Sequence, residues 1–256
     1  MTASTQKEEL LSAEAVTLHY KGLGRAALQE VTVRVERGTT LGVVGESGSG
    51  KSSLARCLVG MERLTSGRIC YRGEDIHAMS RAGLVGFRRK VQMVFQDPFN
   101  SLNPRKTLGD AMNEVLRVHR ITKTSPVELL ERVGLTAAMA ERYPHELSGG
   151  QRQRAGIARA LAVDPEIIIA DEPVSALDVS VQAHLLNVLK ELIKTTGVTL
   201  VMIAHDLAVV RNVCEKIVVM SEGRIVEEGD AAGIIAAPRH PYTQALIAAV
   251  PDWQTA

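Results

Sequence analysis

Gly45-Glu46-Ser47-Gly48-Ser49-Gly50-Lys51-Ser52 is the stretch on which the reading of this chain turns. A glycine, four free positions, a second glycine, then lysine and serine is the spacing of a loop that wraps its backbone around phosphate oxygens. Glycines permit the tight turn with N–H groups facing inward, and the start of a following helix adds partial positive charge. Both flanks agree with this. Leu41-Gly42-Val43-Val44 reads as a short buried strand before the loop, and Ser53-Leu54-Ala55-Arg56-Cys57-Leu58-Val59 as a helix after it. In such a loop Lys51 reaches the outer phosphates and the Ser52 hydroxyl ligates Mg²⁺. A glycine-rich surface turn that happens to carry a lysine is the plain competitor, and the strand and helix on either side count against it.

An acidic counterpart lies at Ile167-Ile168-Ile169-Ala170-Asp171-Glu172, where an apolar β-branched run ends in two carboxylates. Such a run reads as a buried parallel strand, and the carboxyl ends of these strands are where α/β sheets place ligands. Asp171 then belongs to the Mg²⁺ shell, and Glu172 polarises the attacking water as general base. Alone, the segment reads equally well as a strand ending in a solvated acidic turn. Paired with the glycine loop, it reads as the second half of a nucleotide site.

With Leu147-Ser148-Gly149-Gly150-Gln151, these motifs make the chain resemble the ATP-binding cassette (ABC) ATPases, specifically the ATPase subunits of peptide and nickel importers. The resemblance runs from about Ala15 to Pro251. It implies a P-loop NTPase (RecA-like) α/β core with an antiparallel β side sheet and an inserted helical subdomain. It also implies that Gly45, Glu46, Ser47, Gly48, Ser49, Gly50, Lys51, Ser52 and Ser53 hold ATP, with Tyr20 stacking on adenine. Ser52, Gln96 and Asp171 are implied to hold Mg²⁺, with Glu172, His205 and Gln96 as the catalytic set. Leu147, Ser148, Gly149, Gly150 and Gln151 resemble the family signature, which contacts the γ-phosphate of ATP held by a second subunit. Ser175-Ala176-Leu177-Asp178 resembles the loop that crosses between subunits.

Each single residue also has a plain reading. Tyr20 reads as a half-buried strand aromatic. His205 follows the apolar strand Val198-Thr199-Leu200-Val201-Met202-Ile203-Ala204, so it could open a helix with Asp206 as its cap. Gln96 ends Val91-Gln92-Met93-Val94-Phe95, where a solvated turn glutamine is unremarkable. The order of the motifs along the chain decides for the family.

Composition excludes other classes. The chain has 256 residues, 45% hydrophobic and 23% charged, which suits a globular protein with a substantial core. A net charge of +1 gives no support for a nucleic-acid footprint. No apolar run approaches the roughly 18–20 residues needed to span a bilayer, and the polar opening Met1 to Glu9 does not read as a secretory signal. If a membrane is involved, another subunit crosses it. Cys57, Cys70 and Cys214 lack metal-ligand spacing and read as buried small apolar residues in a reducing cytoplasm.

The order of elements suggests a division of labour. Strand-like alternations at Ala15 to Tyr20, Val31 to Val35 and Gly67 to Tyr71 read as the side sheet. Residues 15–96 and 162–235 are expected to form the nucleotide-binding core, 97–161 the helical subdomain with the signature, and 236–256 a C-terminal tail. Helix-like patterns run from Thr107 through about Met139, the signature glycines open a helix from Gln151 to Leu161, and helices are expected near Val179–Thr195 and Leu207–Val213 with a strand at Lys216–Met220.

The phrases from Val94 to Arg105 and His240-Pro241-Tyr242-Thr243-Gln244-Ala245-Leu246 resemble the oligopeptide, dipeptide and nickel branch. The resemblance implies a peripheral subunit on the cytoplasmic face of the inner membrane, paired with a second ABC ATPase subunit. Two membrane-spanning permease subunits and, indirectly, an extracytoplasmic solute-binding protein complete the assembly. Homodimer and heterodimer both stay open. Many branch members continue into a cysteine-bearing tail that can hold an iron–sulfur cluster; no cysteine follows Cys214 here, so no cluster is expected. A soluble ABC ATPase acting on ribosomes or DNA is the competing function. One uninterrupted cassette and near-neutral charge argue against it.

Overall fold

The structure is a computed structural model that describes residues 7–22, 24–96, 102–175 and 177–249. In chain order the first elements are β1 (Glu9–Leu18), β2 (Leu28–Glu36), β3 (Thr40–Val44), α1 (Lys51–Leu58), β4 (Ser66–Tyr71), β5 (Glu74–Asp75), α2 (Arg81–Lys90) and β6 (Val91–Val94). There follow α3 (Leu108–Val118), α4 (Pro126–Arg132), 3₁₀ turns at Ala137–Glu141 and Pro144–Glu146, α5 (Gly149–Leu161), β7 (Ile167–Asp171) and α6 (Val179–Thr196). The last are β8 (Thr199–Ala204), α7 (Leu207–Val213), β9 (Lys216–Ser221), β10 (Arg224–Asp230), α8 (Ala231–Ala236) and α9 (Pro241–Ala248). They fall into two compact units, 1–88 with 199–256, and 89–198.

The first unit holds an antiparallel sheet in the order β2-β1-β4-β5. Its central strand begins at Glu9 and not at Ala15 as the alternation suggested. Leu10, Leu11, Ser12 and Ala13 are all buried, which hides the period of two, and the register slips between Ala13 and Val16. Ala15 sits in that bulge with φ 49°.

The same unit sets β3 between β8 and β9, parallel to both, with β10 antiparallel to β9. All five residues of β3 are buried, as expected for a strand covered on both faces. Gly42 is required there because a Cβ would stand 2.0 Å from Val210 Cγ1 of α7. Helix α1 packs against β1 and β8. It buries Leu54, Ala55, Cys57 and Leu58, each leucine contributing about 1.5–3 kcal/mol. Burial pushes the Cys57 thiol up to about 12, with Glu62 adding to the shift.

Elements α2 and β10 are among those that were not legible in advance. Gly83 and Gly86 lower the helix propensity of α2 by about 1 kcal/mol each. Its Phe87 is nonetheless buried edge-on against Tyr71, ring centroids 5.4 Å apart. Strand β10 is tied to β9 by the tight Glu222-Gly223 turn, both residues at positive φ (49° and 78°).

In the second unit β6 and β7 run parallel, Val94 opposite Ala170. Helix α5 packs against β6, α3, α4 and α6. The helix-like stretch from Thr107 is divided because Pro126 opens α4 afresh and Gly134 turns the chain at φ 71°. Thr107–Asp110, Ser125–Glu128 and Ser148–Gln151 form reciprocal capping boxes at the starts of α3, α4 and α5. Gly197, at φ 68°, closes α6 in the left-handed conformation. Among the described residues no helix is long and apolar enough to cross a membrane.

Candidate nucleotide site

The glycine loop leaves the end of β3 and enters α1 directly. Gly45, Gly48 and Gly50 adopt φ of 151°, 80° and 103°, conformations that side chains rarely take. Space is as restrictive as φ: a Cβ on Gly45 would lie 2.2 Å from the Met220 carbonyl, and one on Gly50 2.6 Å from that of Ala27. Lys51 is only 4% exposed, and its Nζ donates to the Gly45 and Glu46 carbonyls, both at 2.7 Å. A cationic donor group is thus held inside a loop whose last residue, Gly50, caps α1. Ser47 is exposed, Ser49 buried, and Ser52 and Ser53 half-buried.

Tyr20 lies just beyond β1, half-buried. Its hydroxyl donates to Glu62 Oε1 at 3.1 Å and stands 3.4 Å from Ser53 Oγ on α1. The ring is thereby fixed beside the helix that begins at Lys51. Val44 is opposite Ala204, so His205 leaves β8 where Gly45 leaves β3. His205 is exposed, and the next residue, Asp206, caps α7 through Oδ1 accepting from the Ala208 amide at 2.7 Å.

The second unit gathers a separate group. Asp171, 5% exposed, ends β7, and Glu172 follows with φ 46°. Gln96 leaves the neighbouring β6 and donates from Nε2 to Glu172 Oε2 at 3.0 Å and to Ser175 Oγ at 3.3 Å. Ser175 Oγ in turn donates to the Glu172 carbonyl at 3.1 Å. The carboxylate and its own backbone are therefore held by two neighbours. A hydrogen-bonded carboxylate at the open end of a buried strand is suited to orienting water.

The signature stretch forms the start of α5. Ser148 Oγ accepts from the Gln151 amide at 3.3 Å, while Gln151 Oε1 accepts from the Ser148 amide at 2.9 Å. A Cβ on Gly150 would stand 2.3 Å from Val181 Cγ1, and one on Gly149 3.2 Å from Leu177 Cδ2, so both glycines admit the chain that enters α6. Leu147 is buried, and Asp178 occupies the N-cap position of α6. Ala176 lies outside the described residues, as do residues 97–101.

Three neighbours of the loop were missed from the sequence. Gly223 donates its N–H to the Ser49 carbonyl at 3.0 Å, and a Cβ on it would stand 2.8 Å from the Ala27 carbonyl. The Tyr242 hydroxyl accepts from the Glu46 amide at 2.8 Å. The Glu222-Gly223 pair was a readable hairpin signal, whereas nothing local connects Ala27 or Tyr242 to the loop.

Residues 28–175 match the family described as ABC transporter, and residues 226–256 match the oligopeptide/dipeptide transporter C-terminal region. The oligopeptide transport ATP-binding protein OppF of Bacillus subtilis (strain 168) is 48% identical over 254 residues, covering 95% of this chain and 83% of that protein. The putative oligopeptide transport ATP-binding protein YkfD of the same organism is 46% identical over 94% of this chain and 76% of its own length. Among solved structures, the ATP-binding cassette MJ0796, as a dimer in a post-hydrolysis state bound to ADP and Pi, superposes with a TM-score of 0.77 at 30% identity. That match covers 87% of this chain and 99% of the other. The cbiO1 structure from Clostridium perfringens, part of the ABC transporter complex cbiONQ, gives 0.77 at 29% identity, covering 90% and 92%. Such identity over nearly the whole chain, with an ATPase fold beneath it and the C-terminal region of one branch, places this protein in the ABC transporter family as an ATP-binding subunit of the oligopeptide/dipeptide type.

Proposed function

We propose that this chain hydrolyses ATP to power import of oligopeptides, or of a related small solute, through a transporter with two membrane-spanning permease subunits. The observation that carries the reading is the match of residues 226–256 to the oligopeptide/dipeptide C-terminal region. Relatives named as oligopeptide transport ATP-binding proteins support it. In this reading the chain works at the cytoplasmic face of the inner membrane beside a second ABC ATPase subunit, fed from outside by a solute-binding protein.

The residues divide the chemistry. Gly45 to Ser53 hold the ATP phosphates, Lys51 as their main cation, and Tyr20 stacks on adenine. Ser52, Gln96 and Asp171 supply oxygens of the kind Mg²⁺ prefers, and the buried Asp171 carboxylate fits a divalent ion. When bound, the metal neutralises charge on the phosphates. Glu172 takes the proton from the attacking water, Gln96 holds its carboxylate, and His205 acts near the γ-phosphate. Residues 15–96 with 162–235 carry nucleotide binding, and 97–161 presents Leu147 to Gln151 to ATP on the second subunit, with Ser175 to Asp178 as the crossing loop.

Reconstitution of the full complex tests the cargo. Peptide presented by the binding protein is expected to accelerate ATP hydrolysis. Acceleration by a nickel chelate and by no peptide would replace peptide with metal as the solute.

A further inference from the structure

Helix α9 reaches back to the phosphate loop. Tyr242, its second residue, accepts the Glu46 N–H through its hydroxyl at 2.8 Å, a contact between residues far apart in the chain. The segment matched to the oligopeptide/dipeptide C-terminal region, which contains this tyrosine, therefore touches the glycine loop that lies within the ABC transporter match.

The tyrosine is itself held firmly. His240 caps α9, its Nδ1 accepting from the Tyr242 amide at 3.2 Å. The amides of Arg239 and His240 donate to the two carboxylate oxygens of Glu227 on β10, at 2.9 and 3.0 Å. Thr243 is fully buried, and Gln244 Nε2 donates to the Pro238 carbonyl at 3.0 Å. Strand β10 also begins at the hairpin whose Gly223 holds the Ser49 carbonyl. One hairpin and the helix it anchors thus grip the loop at both Ser49 and Glu46.

We propose that Tyr242 is a positioning residue for the nucleotide: its hydroxyl fixes the first turn of the phosphate loop from outside. The inference rests on reading residues 45–52 as that loop. Three glycines make this segment costly to order, and a loop already held before ATP arrives leaves less of that cost to be met by binding. The Glu46 backbone is held on both sides, its carbonyl by Lys51 and its N–H by Tyr242. When Lys51 turns to the phosphates, the tyrosine keeps hold of the residue. Burial pushes the Tyr242 phenol above its usual value, so the hydroxyl stays a neutral acceptor at physiological pH.

Tyr242→Phe in the full chain removes the acceptor and keeps the ring. Without nucleotide, hydrogen exchange at Glu46 is expected to quicken by about two- to tenfold, the weight of one neutral hydrogen bond. Affinity for Mg-ATP and Mg-ADP should weaken by a similar factor of about two to ten, with kcat at saturating ATP within about twofold of wild type. Glu227→Ala, which frees the Arg239 and His240 amides just ahead of α9 but leaves the phenol, should lower affinity in the same direction, and it decides the matter if the first variant folds poorly. Unchanged affinity overturns the proposal, whether or not exchange quickens. Tighter binding overturns it too, because the tyrosine would then be competing with nucleotide. A wild-type chain that binds no nucleotide would instead sink the ATPase reading itself, and the positioning role with it.

Discussion

The Gln96–Glu172 contact concentrates the proposed chemistry in one pair of side chains. Glu172 has φ 46°, a region that costs a non-glycine residue roughly 1–3 kcal/mol unless its surroundings enforce it. Gln96 and Ser175 supply that enforcement, one on the carboxylate and one on the carbonyl. Glu172→Gln keeps the size of the side chain and removes its basicity. Single-turnover hydrolysis of Mg-ATP should fall by about 100-fold or more while nucleotide affinity stays within about threefold. Hydrolysis at the wild-type rate would remove Glu172 from the mechanism. The place of Glu172 just past a buried strand was legible because a run of isoleucines ends beside it. Its backbone was not: Pro173 follows, and a residue before proline ordinarily takes extended backbone.

Elements were legible where the local signal and the packing agree. Helices α6 and α7 appear almost to the residue where their apolar periods placed them, because each buries one face and has a clear start. The strand β1 was misplaced since four consecutive buried residues and a bulge mask its alternation. Ser148 shows how one residue serves two scales. Its oxygen accepts the Gln151 amide as a helix cap, and a hydroxyl also has a proton to donate, so capping and phosphate contact are compatible. The cap of α4 gives a pH test. Glu128 accepts from the Ser125 amide and the Thr124 hydroxyl, both at 2.9 Å, and these bonds, the amide first, hold its carboxyl below the usual value. A depressed folded pKa means the stabilisation is present above the unfolded value of about 4.3 and is lost as pH falls through the folded one. Exchange protection of the Ser125 amide is therefore expected to decline on acidification below about pH 4.3, ahead of loss of far-UV signal. Glu128→Gln should abolish this pH dependence, and protection that falls equally in both proteins would assign it elsewhere.

For the whole molecule, the proposed catalytic residues come from segments far apart in the sequence, and the signature is proposed to meet nucleotide on another subunit. The order of these motifs was readable because each is local. The brace from Gly223 and Tyr242 was not, since only the folded chain brings residues so distant in sequence to Glu46 and Ser49. Two such subunits can be closed by ATP only to the extent that the closed state binds it more tightly than the open one. Charge does little to help or hinder: 30 basic and 29 acidic residues give a net charge of +1, too small for strong repulsion between copies. Association is therefore expected to follow the nucleotide. In sedimentation, Glu172→Gln with Mg-ATP should shift to a dimer, alone or beside its natural partner subunit, and return to monomer with Mg-ADP. Because long-range charge contributes little, the shift should survive a rise from about 0.15 to 0.5 M salt, where the Debye length shrinks below about 8 Å. Adding Ser148→Arg, which places a bulky cation at the start of α5, should abolish the ATP-dependent dimer while leaving affinity for a single nucleotide intact. A variant that stays monomeric with saturating Mg-ATP under both conditions would mean that Ser148 and its glycines serve only to cap and pack α5.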